Sequence, residues 1–250
     1  MTALAATPQL ADLGGLPFID DRFAARRLLA ITAAVRYHAA RQRGLAGPVP
    51  AQETEAWLGP ARTLALSTSC TPMPARPLTA TRRQQVTRTL AALTDMMPPW
   101  RKLLALPVRY ALLYPAHGAI SASSRDWPQH VLLADEAFAT NRELAEQVVH
   151  ELAHQWLYLI EDIWPLQHPG AATLTLPSGT RDRTPAEVLG AAHVAAALIR
   201  LYRQHATDWA ADRIQALTGY GTGCLTLAAA AKANLTDTGI LFAHRLKEAF

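Results

Sequence analysis

The sequence predicts a mainly helical α+β protein, and three observations predict it. Two stretches open with helix-capping signatures and continue with apolar residues at helical spacing. Two shorter segments concentrate β-branched and aromatic residues between turn signals. Half of the 250 residues are apolar, enough for a substantial core in one large domain or two small ones.

Taken in order, residues 1–15 lack a basic start and an apolar signal core, and read as a loose leader into the first helix rather than an export peptide. Helices are expected over 21–43 and 79–94. Pro98-Pro99 then separates a helical N-terminal region, 1–98, from a C-terminal region, 99–250. Residues 108–114 and 130–133 read as short strands. Thr140-Asn141-Arg142-Glu143 has the form of a capping box, and Pro165 is a stop, so a helix is expected over 140–164. Leu144, Val148, Leu152, Leu159 and Ile163 recur there at the spacing that clamps one face into a core. Thr184, Pro185 and Glu187 form a second box, with proline where its missing N–H costs nothing, opening a helix over 185–205. Further helices are expected over 207–217 and 236–248.

Composition narrows the setting. No Gly/Ser linker, internal repeat or low-complexity tract interrupts the chain, and no apolar run is long enough to cross a bilayer. Cys70 and Cys224 are far apart, which fits a reducing cytoplasm better than a disulfide scaffold. The net charge is +4, but the basic residues are scattered. Arg26-Arg27 and Arg82-Arg83 are short pairs without interleaved aromatics, so no nucleic-acid groove is expected. Neither a membrane nor a particular oligomeric state is implied.

The chemistry lies in His150-Glu151-Leu152-Ala153-His154, in the middle of the 140–164 helix. Histidines four apart project from one face, about 6 Å apart along the axis, and two imidazoles so placed can close on one metal ion. A glutamate beside the first histidine is what a zinc hydrolase uses as general base on metal-bound water. The fold expectation sharpens accordingly to a zincin-like half, with a short sheet packed beside the metal helix. A stable site needs a third protein ligand. Glu161 shares the histidine face, but seven residues beyond His154 it is about 10 Å further along the axis, too far for the same ion. His193 is the first candidate, two turns inside the next helix among Gly190, Ala196 and Ala197, which let a neighbouring helix come close. Glu187 and Asp182 are the alternatives.

These residues resemble the HExxH-motif peptide-modification proteins, the 2-oxoglutarate-dependent HExxH-type peptide β-hydroxylases. The likeness runs from Pro115-Ala116-His117-Gly118 and Ser121-Ala122-Ser123-Ser124 through Trp127-Pro128, Val131-Leu132-Leu133 and the His150 motif. It continues by Asp162, Pro165, Pro177 and Arg181-Asp182-Arg183 to Gly190, His193 and Val194, about eighty residues in all. The chain departs from the family where Thr184-Pro185 stands in place of an Arg-Pro pair, with Arg183 one residue earlier.

The resemblance implies Fe(II) held by His150, His154 and His193, with 2-oxoglutarate and dioxygen in the remaining positions. It also implies a hydroxylated β-carbon in a ribosomally made peptide or related amino-acid substrate. Glu151 then loses its duty as base and acts on protons or ligands around the metal. The far carboxylate of 2-oxoglutarate needs a cation, for which a guanidinium is suited; Arg181 and Arg183 are the candidates. Ser121, Ser123 and Ser124 are placed to touch the cosubstrate or to form a turn. Two other readings stand beside this one: a zinc metallopeptidase with Glu151 as base, and a non-enzymatic peptide-binding partner with a structural metal.

Overall fold

The computed structural model describes residues 10–47, 51–69 and 71–250. Cys70 and residues 1–9 of the expected leader lie outside them. The described part is mainly helical: α1 (Ala25–Gln42), α2 (Ala51–Glu55), α3 (Pro60–Leu66), α4 (Ala80–Met96), α5 (Arg101–Leu104), α6 (Asn141–Glu161), α7 (Pro185–Tyr202), α8 (Asp208–Ala230) and α9 (Asp237–Lys247). Four short strands, β1 (Ala75–Arg76), β2 (Arg109–Leu113), β3 (Ser121–Ala122) and β4 (His130–Leu133), form one mixed sheet in the order β1-β2-β4-β3. The central β2 and β4 are parallel, with Tyr110 opposite Val131, and both outer strands run antiparallel to their neighbours. The expected α+β class is therefore present. No described helix is long and apolar enough to cross a membrane.

All four residues of β4 are buried, because alternate side chains enter two different apolar layers. Val131 and Leu133 join the main core, while Leu132 and Ala134 pack with Ala111 and Leu113 on the opposite face. The main core runs without interruption from Leu10 to Leu246 and takes in residues on both sides of Pro98-Pro99. Over residues 10–15 the expected loose leader gives way to structure. Leu10–Leu13 is a 3-10 turn, and Leu13 and Leu16 are fully enclosed, so their apolar burial fixes this stretch against the core.

Helix α6 passes through the centre. Thr140 caps it by accepting from the Glu143 N–H, but the Glu143 carboxylate accepts from Gln147 Nε2 at 2.8 Å rather than completing the box. Leu144, Val148, Leu152 and Leu159 are buried as their spacing predicts. A buried polar side chain locks the helix to the sheet: Gln155 accepts from the Gln129 N–H at 2.8 Å and donates to the His130 carbonyl at 3.0 Å. The Trp156 indole N–H donates to the Leu103 carbonyl at 3.0 Å. At the far end Arg36 of α1, 7% exposed, donates to Asp162 at 2.9 and 3.1 Å, to Thr63 at 3.1 Å, and to Gln129.

Helix α7 opens with the complete Thr184/Glu187 box. It packs closely on α6 because Gly190 has no side chain: a Cβ there would stand 3.0 Å from Leu157 and 3.6 Å from His154 Nδ1. Helix α8 runs thirteen residues past its expected end at Leu217, through Gly219, Gly221 and Gly223. Glycine weakens a helix, but at two of these positions it is needed for close approach. A Cβ on Gly221 would overlap the Phe250 ring, and one on Gly223 would lie 2.9 Å from Pro177.

Replacing Gln155 with Leu should cost about 2–4 kcal/mol of stability, because it strands a buried N–H and a buried carbonyl at the start of β4. Denaturant unfolding at constant m-value checks this; a loss below about 0.5 kcal/mol would show that the clamp does not hold the helix.

Candidate functional site

Between Glu146 and Glu161, every residue of α6 is buried except His150, His154 and Tyr158. They are spaced by four, so they stack along one stripe where the helix meets solvent. The His150 and His154 ring centroids are 5.1 Å apart, and Tyr158 stacks on His154 at 6.1 Å with an interplanar angle of 18°. We call this solvent-facing strip the slit; it is where the fold exposes the histidine motif.

One wall is the edge strand β3. Ser121 Oγ lies 2.5 Å from Glu151 Oε1 and 2.6 Å from Gln147 Oε1, fixing the glutamate against the strand. Glu151 is 2% exposed, its Oε1 is 3.9 Å from His150 Nε2, and its buried Oε2 has no partner among the described residues. Of the three serines singled out from sequence, Ser121 thus touches the motif directly. Ser123 adjoins the Tyr158 hydroxyl, and Ser124 Oγ accepts from the Asp126 N–H in a turn.

His193 lies on α7, fully buried, with its ring 5.7 Å from Phe242. Its Nε2 is 2.8 Å from the Pro17 carbonyl, which can only accept, so Nε2 carries the proton. The other nitrogen, Nδ1, is buried without a partner among the described residues. Burial lowers the His193 pKa to about 4, despite the opposing pull of the Pro17 carbonyl. His193 is therefore a neutral imidazole with an unused lone pair and its N–H held by a backbone carbonyl, as metal-binding histidines are arranged. His154 is also held neutral: its pKa falls well below 6.5 through burial, then through the fields of His150, His193 and Arg183.

His154 thus feels the fields of both His150 and His193, but the three histidines form no finished cage. Among the described residues, no three His, Cys, Asp or Glu side chains converge as a metal-binding group. The donor set nevertheless fits a divalent metal, since it combines neutral imidazoles, one orphaned Nδ1 and a carboxylate with a free oxygen.

The alternatives for third ligand have other duties. Glu187 accepts from the Thr184 N–H and from Arg183, both at 2.8 Å. Its partial burial works to raise its pKa, but the Thr184 and Arg183 bonds outweigh this and lower it. Asp182 is exposed, in a left-handed turn at φ 58°. Of the two candidate arginines, Arg183 is half-buried and close enough to act on His154, whereas Arg181 is exposed.

Two site residues escaped the sequence reading, and a third, Glu161, was set aside there as a metal ligand. Tyr158 continues the i, i+4 series and was detectable by spacing. Arg125, on the loop after β3, has its guanidinium 5.9 Å from the Tyr158 ring centroid and 3.1 Å from Glu161. Nothing in its sequence context distinguishes it. Glu161, too far along for the metal, ends the stripe. Burial pushes its pKa up to about 7, against the pull of Arg125 and with the help of Asp162 and Glu187. Burial also raises the Tyr158 pKa, with Glu151 adding to the effect. Compared with known proteins, the chain matches no family model and no curated relative.

Glu161 makes a signed prediction. Its folded pKa of about 7 lies above the ordinary carboxyl value of 4.5, so the folded state favours the protonated form. The resulting penalty is absent below the unfolded pKa, grows as pH rises from 4.5 to about 7, and is constant above that. Glu161→Gln should therefore stabilise the protein at pH 8 by up to about 3 kcal/mol and much less at pH 5. Equal effects in unfolding curves at the two pH values would contradict this.

Proposed function

We propose that this protein is an Fe(II)- and 2-oxoglutarate-dependent oxygenase that hydroxylates the β-carbon of a residue in a ribosomally made peptide or related amino-acid substrate. The observation that carries the reading is the stripe on α6: a helix otherwise buried along this stretch opens to solvent only at the two motif histidines and the tyrosine one turn on. The resemblance over residues 115–194 supplies the metal and cosubstrate. The mixed sheet, with antiparallel β3 beside the motif helix, supports the zincin-like description.

His150, His154 and the unused Nδ1 of His193 would hold the metal. When bound, Fe(II) with 2-oxoglutarate and dioxygen supplies an oxidant for an unactivated C–H bond; the balance is substrate C–H, 2-oxoglutarate and O2 giving substrate C–OH, succinate and CO2. The protein's own groups bind and orient. Arg183, whose charge reaches His154, would take the far carboxylate of 2-oxoglutarate by paired hydrogen bonds. Ser121 keeps Glu151 turned toward His150, where the carboxylate can accept a proton or a hydrogen bond from a metal-side ligand. Burial keeps His154 and His193 neutral and ready to donate. A cytoplasmic setting, in which the buried Cys224 remains a thiol, belongs to the same proposal.

One observation favours a second reading. The Glu151 carboxylate, with Oε1 3.9 Å from His150 Nε2 and Oε2 unpartnered among the described residues, is also where a zinc peptidase keeps its general base. Turnover separates the two. The oxygenase requires 2-oxoglutarate and oxygen, forms succinate, loses activity in His154→Ala and keeps part of its oxygen consumption in Glu151→Gln. The peptidase cleaves peptide without either cosubstrate and loses about 10²–10⁴ in rate in Glu151→Gln.

Arg183→Gln should weaken 2-oxoglutarate binding by about 10- to 100-fold with metal affinity unchanged, the loss of a charge-assisted pair. Arg181→Gln should leave both unchanged. Calorimetric titration of each variant checks this, and the opposite ranking would reassign the cosubstrate contact.

A further inference from the structure

The far end of the histidine stripe carries an arginine that the metal chemistry does not use. The rings of His150, His154 and Tyr158 form a continuous row, and the guanidinium of Arg125 covers its open end, beside Glu161. Arg36, nearby, shows what a purely structural arginine looks like in this fold. It is 7% exposed, and Asp162, Thr63 and Gln129 occupy its donors. Arg125 is the opposite case. Its side chain is 53% exposed, and Glu161, 5% exposed, is its carboxylate partner among the described residues.

A guanidinium has five N–H donors in a rigid fork, and one contact leaves most of them directed to the slit or to water. Anchoring by Glu161 and the Tyr158 ring restricts the side chain in advance, which lowers the ordering cost of taking up a ligand. The charge balance favours an anion as well. Burial, with the charges of Asp162 and Glu187 adding to it, pushes the Glu161 pKa up to about 7, so near neutrality it cancels the Arg125 charge only in part.

We propose that Arg125, propped by Tyr158 and Glu161, is a carboxylate-binding subsite at the end of the slit remote from His150. It is distinct from the Arg183 position and rests on the reading of the slit as a substrate site. Two sources carry the matching chemistry: an acidic side chain or C-terminus of the peptide substrate, or the far carboxylate of the keto acid, which Arg125 would then receive in place of Arg183.

The test begins without metal or turnover. In metal-free protein labelled with 15N-arginine, the Arg125 Nε–H signal, assigned by its loss in Arg125→Gln, should shift saturably with glutarate or N-acetylaspartate and not with glutaramide. No shift with either carboxylate overturns the proposal. Anaerobic titrations of the Fe(II)-loaded protein then separate the sources. A tenfold or larger loss of 2-oxoglutarate affinity in Arg125→Gln, with 2-oxobutyrate affinity unchanged, assigns the subsite to the cosubstrate. Unchanged 2-oxoglutarate affinity with weakened binding of an aspartate-containing peptide assigns it to the substrate. If neither affinity changes, the subsite is overturned. If the Arg125 signal shifts but the wild-type protein with Fe(II) binds no keto acid, the subsite stands and the oxygenase reading fails. Arg125→Gln/Glu161→Gln, which removes both charges, serves the same titrations should the single variant fail to fold.

Discussion

The position of α6 is the constraint on which the rest of this structure depends. The helix is enclosed by the sheet, α1, α4 and α7, and its apolar faces alone would permit sliding or rotation. Gln155 removes that freedom, because its amide pairs with one N–H and one carbonyl at the entrance to β4 and neither can be left unpaired in a dry interior. Arg36 fixes the other end through Asp162 and shares Gln129 with the first clamp. With depth and rotation set, the remaining stripe is the one facing the slit. There the chain places two histidines and a tyrosine.

The electrostatics of the slit follow from the same burial. Burial disfavours an imidazolium at both His154 and His193, and at His154 the fields of His150, His193 and Arg183 add to it, so both rings are held neutral. Charges are admitted at the rim as guanidinium–carboxylate pairs, Arg183 with Glu187 and Arg125 with Glu161. On the proposed reading, the interior would offer lone pairs to a metal while the rim would offer donors to anions. That division suits a site that must hold a cation and carboxylates together.

Much of this was legible in the sequence because its causes are local. Cap chemistry located the starts of α6 and α7, and the four-residue spacing of the histidines fixed their common face. Gly190 and its alanine neighbours indicated close helix packing. What remained hidden depends on distant partners. Helix α8 continues through Gly221 and Gly223 because Phe250 and Pro177 require the space, and neither partner can be read from local propensity. The two-residue strands β1 and β3 are too short to carry a period. Arg125 reads as an ordinary surface arginine until the loop after β3 is seen to lie over Tyr158. His193 was visible as a candidate, but its orphaned Nδ1 became apparent only with Pro17 in place.

The central claim is that the stripe on α6, with His193, holds iron in a form open to a keto acid. Anaerobic absorption spectroscopy tests it most directly. Adding 2-oxoglutarate to the Fe(II)-loaded protein should produce a broad visible charge-transfer band that saturates at one equivalent of metal and is absent with either component alone. Binding of Fe(II) and 2-oxoglutarate with no such band would contradict the claim, because the keto acid would then lie away from the metal.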